Sequence, residues 1–557
     1  MNVISIKRIK NSIWNTGNQL DTLRCLKSTA LNTTWEIKHR CIMLFNSYIF
    51  IFCFLPLTIL GFFLIGKQKK HRMAIAWLVL TSLFFYGWWN PVYLILLGFS
   101  ILFNYWFGCI LNQEAGRGSI PGKGLLTIGV SINLCLLGYF KYAMFFVGSL
   151  NAVAGTDIHI GTIFLPLAIS FFTFQQMAYL VDAYRGEAKE YDFLHYCLFV
   201  CFFPQLIAGP IVHHKEMIPQ FMEKRIFTPK AIHIAVGMTI FFVGLFKKVV
   251  IADNMALHAT PVFTLADNGA SLTFFQAWEG SLAYTFQLYF DFSGYSDMAI
   301  GIARMFGIIL PENFNSPYKA KNSIDFWKRW HITLSRFLRD YLYFPLGGNR
   351  KGKTRRYMNL IITMLLGGLW HGAGWTYVVW GALHGFYLLI NHLWRNFFPR
   401  KKERVWSSFL SRLVTFLAVV IAWVFFRAET FHGALNVLKG MVNLPNKLNG
   451  KLGPMQDLLE TVGIGFNGGL LKVEHYNLFA WLVFWLFVIW VWPNTQEWLR
   501  KYEPVLEAVN QGETFGKSHH IWPAWHPTAR WAAFLAFIAV LGVLGLSSVT
   551  EFLYFQF

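Results

Sequence analysis

The sequence predicts an all-α integral membrane protein, a single membrane domain with about 11–13 transmembrane or re-entrant helices. Three observations carry that prediction. Of 557 residues, 55% are hydrophobic and 14% charged, whereas a soluble globular protein is about 45–50% apolar and about 25% charged. Aromatics make up 18%, led by 56 Phe and 23 Trp, which suits a bilayer interior flanked by aromatic belts. Apolar runs of about 17–25 residues, enough for a hydrocarbon core of about 30 Å, recur along the whole chain.

The runs fall near 47–66, 73–89, 92–111, 125–149, 160–181, 194–212, 231–252, 275–305, 357–373, 376–394, 408–426, 478–494 and 531–548. No repeat of fixed period and no low-complexity tract is visible. The formal charge of +21, from 49 Lys+Arg against 28 Asp+Glu, sits in short loops between apolar runs. That distribution fits the positive-inside bias and excludes the solvated basic face that a nucleic-acid binder needs. Lys67–Arg72 therefore reads as cytoplasmic. So does 319–356, with eleven Lys/Arg against Asp325 and Asp340, and 395–404, with five against Glu403. The loop 428–477 balances four Lys with four Asp/Glu and belongs on the far side.

This orientation puts the first span's start outside, where residues 1–42, with seven Lys/Arg against Asp21 and Glu36, are unfavourable. They also lack a signal peptide's apolar core and cleavage site. The expectation is that translation starts at Met43, directly before LFNSYIFIF, and that 1–42 is an extension of the assigned reading frame. Cysteines at 25, 41, 53, 109, 135, 197 and 201 show neither CxxC nor zinc spacing, so no disulfide framework and no structural metal is indicated.

Ionisable residues at membrane depth are costly and mark candidate sites. They concentrate in 311–385. At about 100° per residue, 326–342 reads as one amphipathic helix with His331 central on its apolar face, beside Trp327, Trp330, Leu334, Phe337, Leu338 and Tyr341. His331 is either a packing histidine or a functional one. His371 follows an apolar run from Tyr357, so helical rise puts it about 21 Å deep. Trp370, Gly372 and Gly374 flank it, and an imidazole there is able to accept a hydroxyl proton. A helix-packing histidine at a glycine-rich bend is the plainer alternative.

Gly347–Thr354 matches the phosphate-loop pattern letter for letter, but that loop works only between a buried strand and a helix. Here it joins an interfacial segment to a span, which excludes nucleotide hydrolysis. Asn349 and Arg350 in this basic turn remain candidates to hold the phosphates of a diffusing donor such as coenzyme A; a topology anchor is the alternative. Asp291 and Asp297 read as partners of Arg304 or another basic group. The stretch 203–221 reads as a broken or re-entrant element whose His213 and His214 are interfacial. His384 and His392 read as packing or interface residues, and Lys141, Lys247 and Lys248 as snorkelling cations.

The run PENFNSPY…FWKRWHITLSRFLRDYLYFPLGGNRKG…GLWHGAGWTYVVWGALHG closely resembles the membrane-bound O-acyltransferase superfamily, in its bacterial alginate O-acetyltransferase branch. Residues 43–64, 165–186, 203–220, 289–308 and 422–430 resemble it too, so that coverage runs from about Met43 to the C-terminus. The resemblance implies a helical bundle around a central tunnel, a catalytic histidine at His371 and an assisting one at His331. It implies acyl transfer from a cytoplasmic thioester, with acetyl-CoA as donor and no bound cofactor. His371 would act as general base on a hydroxyl from the far side, or as an acylated relay, with Trp370 beside it. The implied setting is the bacterial inner membrane among its lipids. A periplasmic acetyltransferase partner and a surface or exopolysaccharide acceptor would complete the system; peptidoglycan, cellulose or another glycan are alternatives. A polysaccharide or lipid transporter is the competing class, disfavoured by the absence of inverted repeats.

Overall fold

In lipid every backbone N–H and C=O must be satisfied within the element, which leaves helices as the structure for apolar runs such as these. The computed structural model describes residues 43–114, 120–188, 192–398, 405–445, 455–456, 465–468, 474–506, 523–546 and 553. The expected extension 1–42 lies outside the described residues. Helices α1 (Phe50–Lys67), α2 (His71–Trp89) and α3 (Tyr93–Glu114) come first. Helix α4 runs from Ile120 to Ala154 through a π-helical turn at Gly138–Tyr142. The run expected from 160 becomes helical only at α5 (Ile169–Tyr184), because 155–168 has no regular structure.

The broken element is present. Helix α6 (Phe193–Cys201) stops at Phe202, a short turn covers Phe203–Leu206, and irregular chain leads to α7 (His214–Met222). Helix α8 (Ala231–Asp267) continues well past the expected end at 252. A π-helical stretch, Lys247–Ala252, carries the two lysines inward, where acidic groups neutralise them. Lys247 meets Asp297 at 2.6 Å; Lys248 meets Asp291 at 2.5 Å and Asp253 at 2.7 Å. These lysines do not snorkel, since pairing at depth removes the need. Asp291 and Asp297 thus have basic partners, though not Arg304, which donates to the Tyr502 carbonyl at 3.0 Å.

The central helix is α9 (Phe274–Met305), 32 residues long and opened by a Thr273–Gln276 capping box. It crosses α8 at Gly237/Gly301 and Gly244/Gly294; a Cβ on Gly237 would lie 2.6 Å from the Gly301 carbonyl oxygen. Small residues are what permit so close an approach between membrane helices.

Residues 326–342 do not form one helix. A short turn, Ser323–Trp327, gives way before α10 (Ile332–Leu338), and His331 between them adopts φ 42, ψ 54. Neighbouring backbone draws the chain out of the helix: Asn315 N–H donates to the Arg329 carbonyl at 2.9 Å, and Ile332 N–H to that of Asn313 at 3.0 Å. There follow α11 (Gly352–His371), α12 (Trp375–Phe397), α13 (Val405–Arg427) and α14 (Phe431–Met441). Short parallel strands β1 (Asn443–Pro445) and β2 (Gly465–Gly468), then α15 (Glu474–Val491) and α16 (Ala529–Gly545), complete the fold.

By length and hydropathy alone, five described helices, α1, α3, α4, α8 and α13, are able to cross a membrane. Helix α15 with the short helix after it gives a sixth, bent by 43°. Helix α9 is outside that set and carries the buried Glu279, Asp291 and Asp297, and α11 begins with the basic Lys353, Arg355 and Arg356. This is a multi-pass membrane protein.

Candidate active site

His371 is the last residue of α11, which ends because Gly372 is extended at φ −159. The final carbonyls of a helix have no intrahelical donor, and at this depth they have no bulk water either. Helix α4 supplies the donors from its π-helical turn. The Tyr142 hydroxyl donates to the Leu369 carbonyl at 2.9 Å. The Lys141 ammonium donates to the carbonyls of Trp370 at 2.5 Å and His371 at 3.4 Å, and to Ser170 Oγ at 3.3 Å. Lys141 is 9% exposed, so it does not snorkel: it caps α11, where a cation also complements the negative end of the helix dipole.

His331 arrives from its left-handed turn and is fully buried. Its Nδ1 lies 3.0 Å from Asn313 Oδ1, and Phe292 meets the ring edge-on at 4.8 Å. The two imidazoles, forty positions apart in sequence, stand 6.3 Å apart between centroids. His371 is 4% exposed and walled by Trp380 at 5.1 Å and Phe426 at 5.2 Å. Trp370 stacks on Phe174 at 5.4 Å and lies 6.0 Å from His331. Among the described residues, His331 Nε2 and His371 Nδ1 are buried without a hydrogen-bond partner.

A cavity of about 70 Å³ reaches His371, lined also by Trp370, Lys141, Trp89, Ile207 and residues 165–171. Trp89 ends α2, whose other end carries the basic Lys67–Arg72. The cavity therefore lies toward the face opposite the basic loops, and Ile207 shows that the broken element reaches its wall.

Asn349 and Arg350 are not brought to the histidines. They are exposed in a turn at the other end of α11, about 30 Å of helix away. Gly347, Gly348 and Gly352 there have positive φ. The Tyr343 hydroxyl donates to Asn349 Oδ1 at 2.5 Å, and Asn359 Nδ2 to the Gly348 carbonyl at 3.1 Å. Among the described residues no strand precedes this turn, so the phosphate-loop lettering is coincidental.

Other histidines hold structure together. His384 packs against Trp380 at 4.8 Å and Phe326 at 5.8 Å, and His392 contacts Arg356 at 2.7 Å. His213 and His214 are more enclosed than an interfacial position implies. His214 Nε2 is 3.0 Å from Asp182 Oδ2, to which the Tyr341 hydroxyl donates at 2.8 Å, and His213 Nδ1 is 3.2 Å from that hydroxyl. Burial and the neighbouring Arg336 guanidinium push the His213 imidazole down to about 4. Arg336 itself grips Glu216 with two bonds of 2.6 and 2.9 Å, fastening α7 to α10. Among the described residues, no three His, Cys, Asp or Glu side chains gather as a metal site.

Sequence reasoning missed two residues. Lys141 carried a signal, a lysine in the middle of an apolar run, that was read as snorkelling. Asn313 lies inside the quoted PENFNSPY run, but nothing local marks it as the partner of a histidine eighteen positions on.

Residues 162–428 match the model of the membrane-bound O-acyltransferase family. The chain is 49% identical over 429 residues to a peptidoglycan O-acetyltransferase of Helicobacter pylori, covering 72% of this chain and 80% of that protein. It belongs to the membrane-bound O-acyltransferase family. As a member of that family it is an O-acyltransferase. It is also 44% identical over 405 residues to the probable alginate O-acetylase AlgI of Pseudomonas aeruginosa, covering 72% of this chain and 75% of that protein. A teichoic acid D-alanyltransferase of Bacillus subtilis is 29% identical over 282 residues, 48% of this chain and 69% of that one. The family match contains both histidines, Asn313 and the basic turn, but not Lys141.

Proposed function

We propose that this acyltransferase carries an acetyl group from a thioester on the cytoplasmic side, acetyl-CoA, toward hydroxyls of a surface polysaccharide or exopolysaccharide of the alginate type. The observation that carries the reading is the convergence of two buried imidazoles, 6.3 Å apart and contributed by separate elements, one of which, His371, lines a cavity toward the face opposite the basic loops. His371 takes the hydroxyl proton as general base. The hydroxyl oxygen attacks the thioester carbonyl, the C–S bond breaks, and the thiol leaves with that proton. His331 orients the thioester or stabilises the developing oxyanion. Enclosing donor and acceptor in one tunnel supplies the proximity contribution. Trp370 walls the chamber, while Asn349 and Arg350 meet the donor's phosphates at the basic face. The membrane is the bacterial inner membrane. The immediate acceptor is a periplasmic acetyltransferase that completes the transfer to the glycan.

The 49% identity to a peptidoglycan O-acetyltransferase supports a second reading, in which the glycan is peptidoglycan. One experiment addresses both. Base-released acetate is measured separately from sacculi and from secreted polysaccharide in a deletion strain complemented with wild type or with His371→Ala. Wild type restores acetate in one fraction, which identifies the glycan. His371→Ala, at equal membrane level, leaves it reduced by on the order of 10²-fold or more. Full restoration by His371→Ala would make this histidine a packing residue and move the transport reading ahead.

A further inference from the structure

We propose that Asn313 is a positioning residue that fixes His331 as the Nδ1–H tautomer, so that the ring, 6.3 Å from His371, carries a lone pair at Nε2 rather than an N–H. The inference deepens the reading above and rests on His331 belonging to the transfer site.

The argument is a proton inventory around one buried amide. Asn313 is fully buried in the irregular stretch between α9 and the turn at Ser323–Trp327. Its Oδ1 is 2.9 Å from Thr333 Oγ1 and 3.0 Å from His331 Nδ1, and its Nδ2 is 3.1 Å from Ser296 Oγ. The Thr333 hydroxyl already accepts the Ile211 N–H at 3.0 Å. Its own proton is therefore free to donate, and Asn313 Oδ1 is the acceptor it meets. Turning the amide over would aim a second N–H at that hydroxyl and leave the hydroxyl proton without an acceptor. Ser296 Oγ serves either orientation, since a hydroxyl both donates and accepts. The threonine thus sets the amide, and an amide oxygen only accepts. The hydrogen between Asn313 and His331 consequently belongs to Nδ1 of the ring.

In a neutral imidazole, one protonated nitrogen leaves the other as an acceptor. Nε2 of His331 is that acceptor, and among the described residues it is buried without a partner. Asn313 also holds the ring's backbone, because its carbonyl takes the Ile332 N–H at 3.0 Å, next to a histidine strained at φ 42. A group so doubly tied is held in one orientation and one tautomer. The chemical consequence concerns His331's duty. With its lone pair at Nε2, the neutral ring takes a proton or a substrate's hydrogen bond; it does not donate one to an oxyanion. Of the two duties considered for His331, the structure favours orienting a donor N–H or O–H. The network also reaches the broken element through Ile211, so the re-entrant segment indirectly helps to fix the tautomer.

The test uses the full chain in nanodiscs with ¹⁵N-labelled histidine, His331 being assigned by difference from the His331→Gly spectrum. The expected result is a proton-bearing signature at Nδ1 and a lone-pair signature at Nε2. Asn313→Ala should lose that pattern and lower kcat by on the order of 10²-fold with the thioester KM unchanged. Asn313→Asp, whose carboxylate also accepts from Nδ1–H, should keep the pattern and recover most of the rate. An Nε2–H signature in the wild type, or the same tautomer in Asn313→Ala, would overturn the proposal even if the alanine variant folds poorly. Wild-type transfer by His331→Gly would instead remove His331 from the reaction, and with it the reading beneath; the spectrum judges the tautomer independently.

Discussion

His371 stands at the end of a twenty-residue helix, whereas His331 stands in a left-handed turn between two short helices, and the two are held by different kinds of bond. At His371 the holding groups grip the backbone: Lys141 and Tyr142 donate to the carbonyls of residues 369–371. At His331 the side chain itself is gripped, through Asn313. The depth of His371 follows from helix length, and its ring is held by packing against Trp370, Trp380 and Phe426. His331 has its depth, orientation and tautomer set together. The ring assigned as base is thus held by packing, and the ring assigned as its assistant by a hydrogen bond as well.

The sharpest way to break the comparison is at the helix cap. Lys141→Met removes the charged donor and leaves the Trp370 carbonyl buried without its partner, at a cost of about 1–3 kcal/mol. Acetyl transfer should fall about tenfold or more, and thermal unfolding in detergent should move to lower temperature. Lys141→Arg keeps the charge and should do less harm. A Lys141→Met protein with wild-type rate and wild-type unfolding would show that the carbonyls need no such donor and that the two mounts do not differ as described.

The backbone provides a second, smaller contrast, with opposite signs at the two histidines. Residue 331 sits at φ 42, where a β-carbon is strained and glycine is not. His331→Gly should therefore be more stable than His331→Ala by about 1 kcal/mol. Residue 371 is helical, and there His371→Ala should be the more stable of the pair, by up to about 1 kcal/mol. Paired thermal-unfolding curves check this. Alanine the more stable at 331 would contradict the left-handed turn, and glycine the more stable at 371 would contradict the helical end of α11. For kinetics the contrast selects the variants: glycine is the clean deletion at 331 and alanine at 371.

How much of this was legible in the sequence follows the same division. Wherever an apolar run decides the structure, as in α2, α9, α12 and α13, hydropathy placed the helix to within a few residues. The broken element was legible too, because Pro204, Gly209 and Pro210 are local signals. His371 was placed correctly at depth, as the end of a helix counted from its polar start. The turn at His331 was not legible. Its helical periodicity is good, and it was overridden by backbone hydrogen bonds with Asn313, which accepts, and Asn315, which donates. Lys141, Lys247 and Lys248 failed for one reason: a lone lysine in an apolar run gives no hint of the carbonyls or carboxylates waiting for it on another helix. Periodicity reports burial, whereas these partners are set by topology.

The smallest expected effect lies at the basic turn, the one candidate region that lipid and protein leave exposed. Arg350 is solvated, so any bond it makes to a donor phosphate competes with water and is worth about 0.2–1 kcal/mol, as for exposed ion pairs. Arg350→Ala should raise the thioester KM by roughly twofold to fivefold on that energy and leave kcat unchanged, because the turn is a helix length away from the histidines. Added salt offers a check without a substitution. Screening at about 1 M, where the Debye length is about 3 Å, should raise the wild-type KM toward that of the variant. Once both curves meet, the remaining affinity belongs to the buried chamber. A fall in kcat at constant KM would instead tie this turn mechanically to α11, and the contrast between a solvated turn and two buried rings would have to be given up.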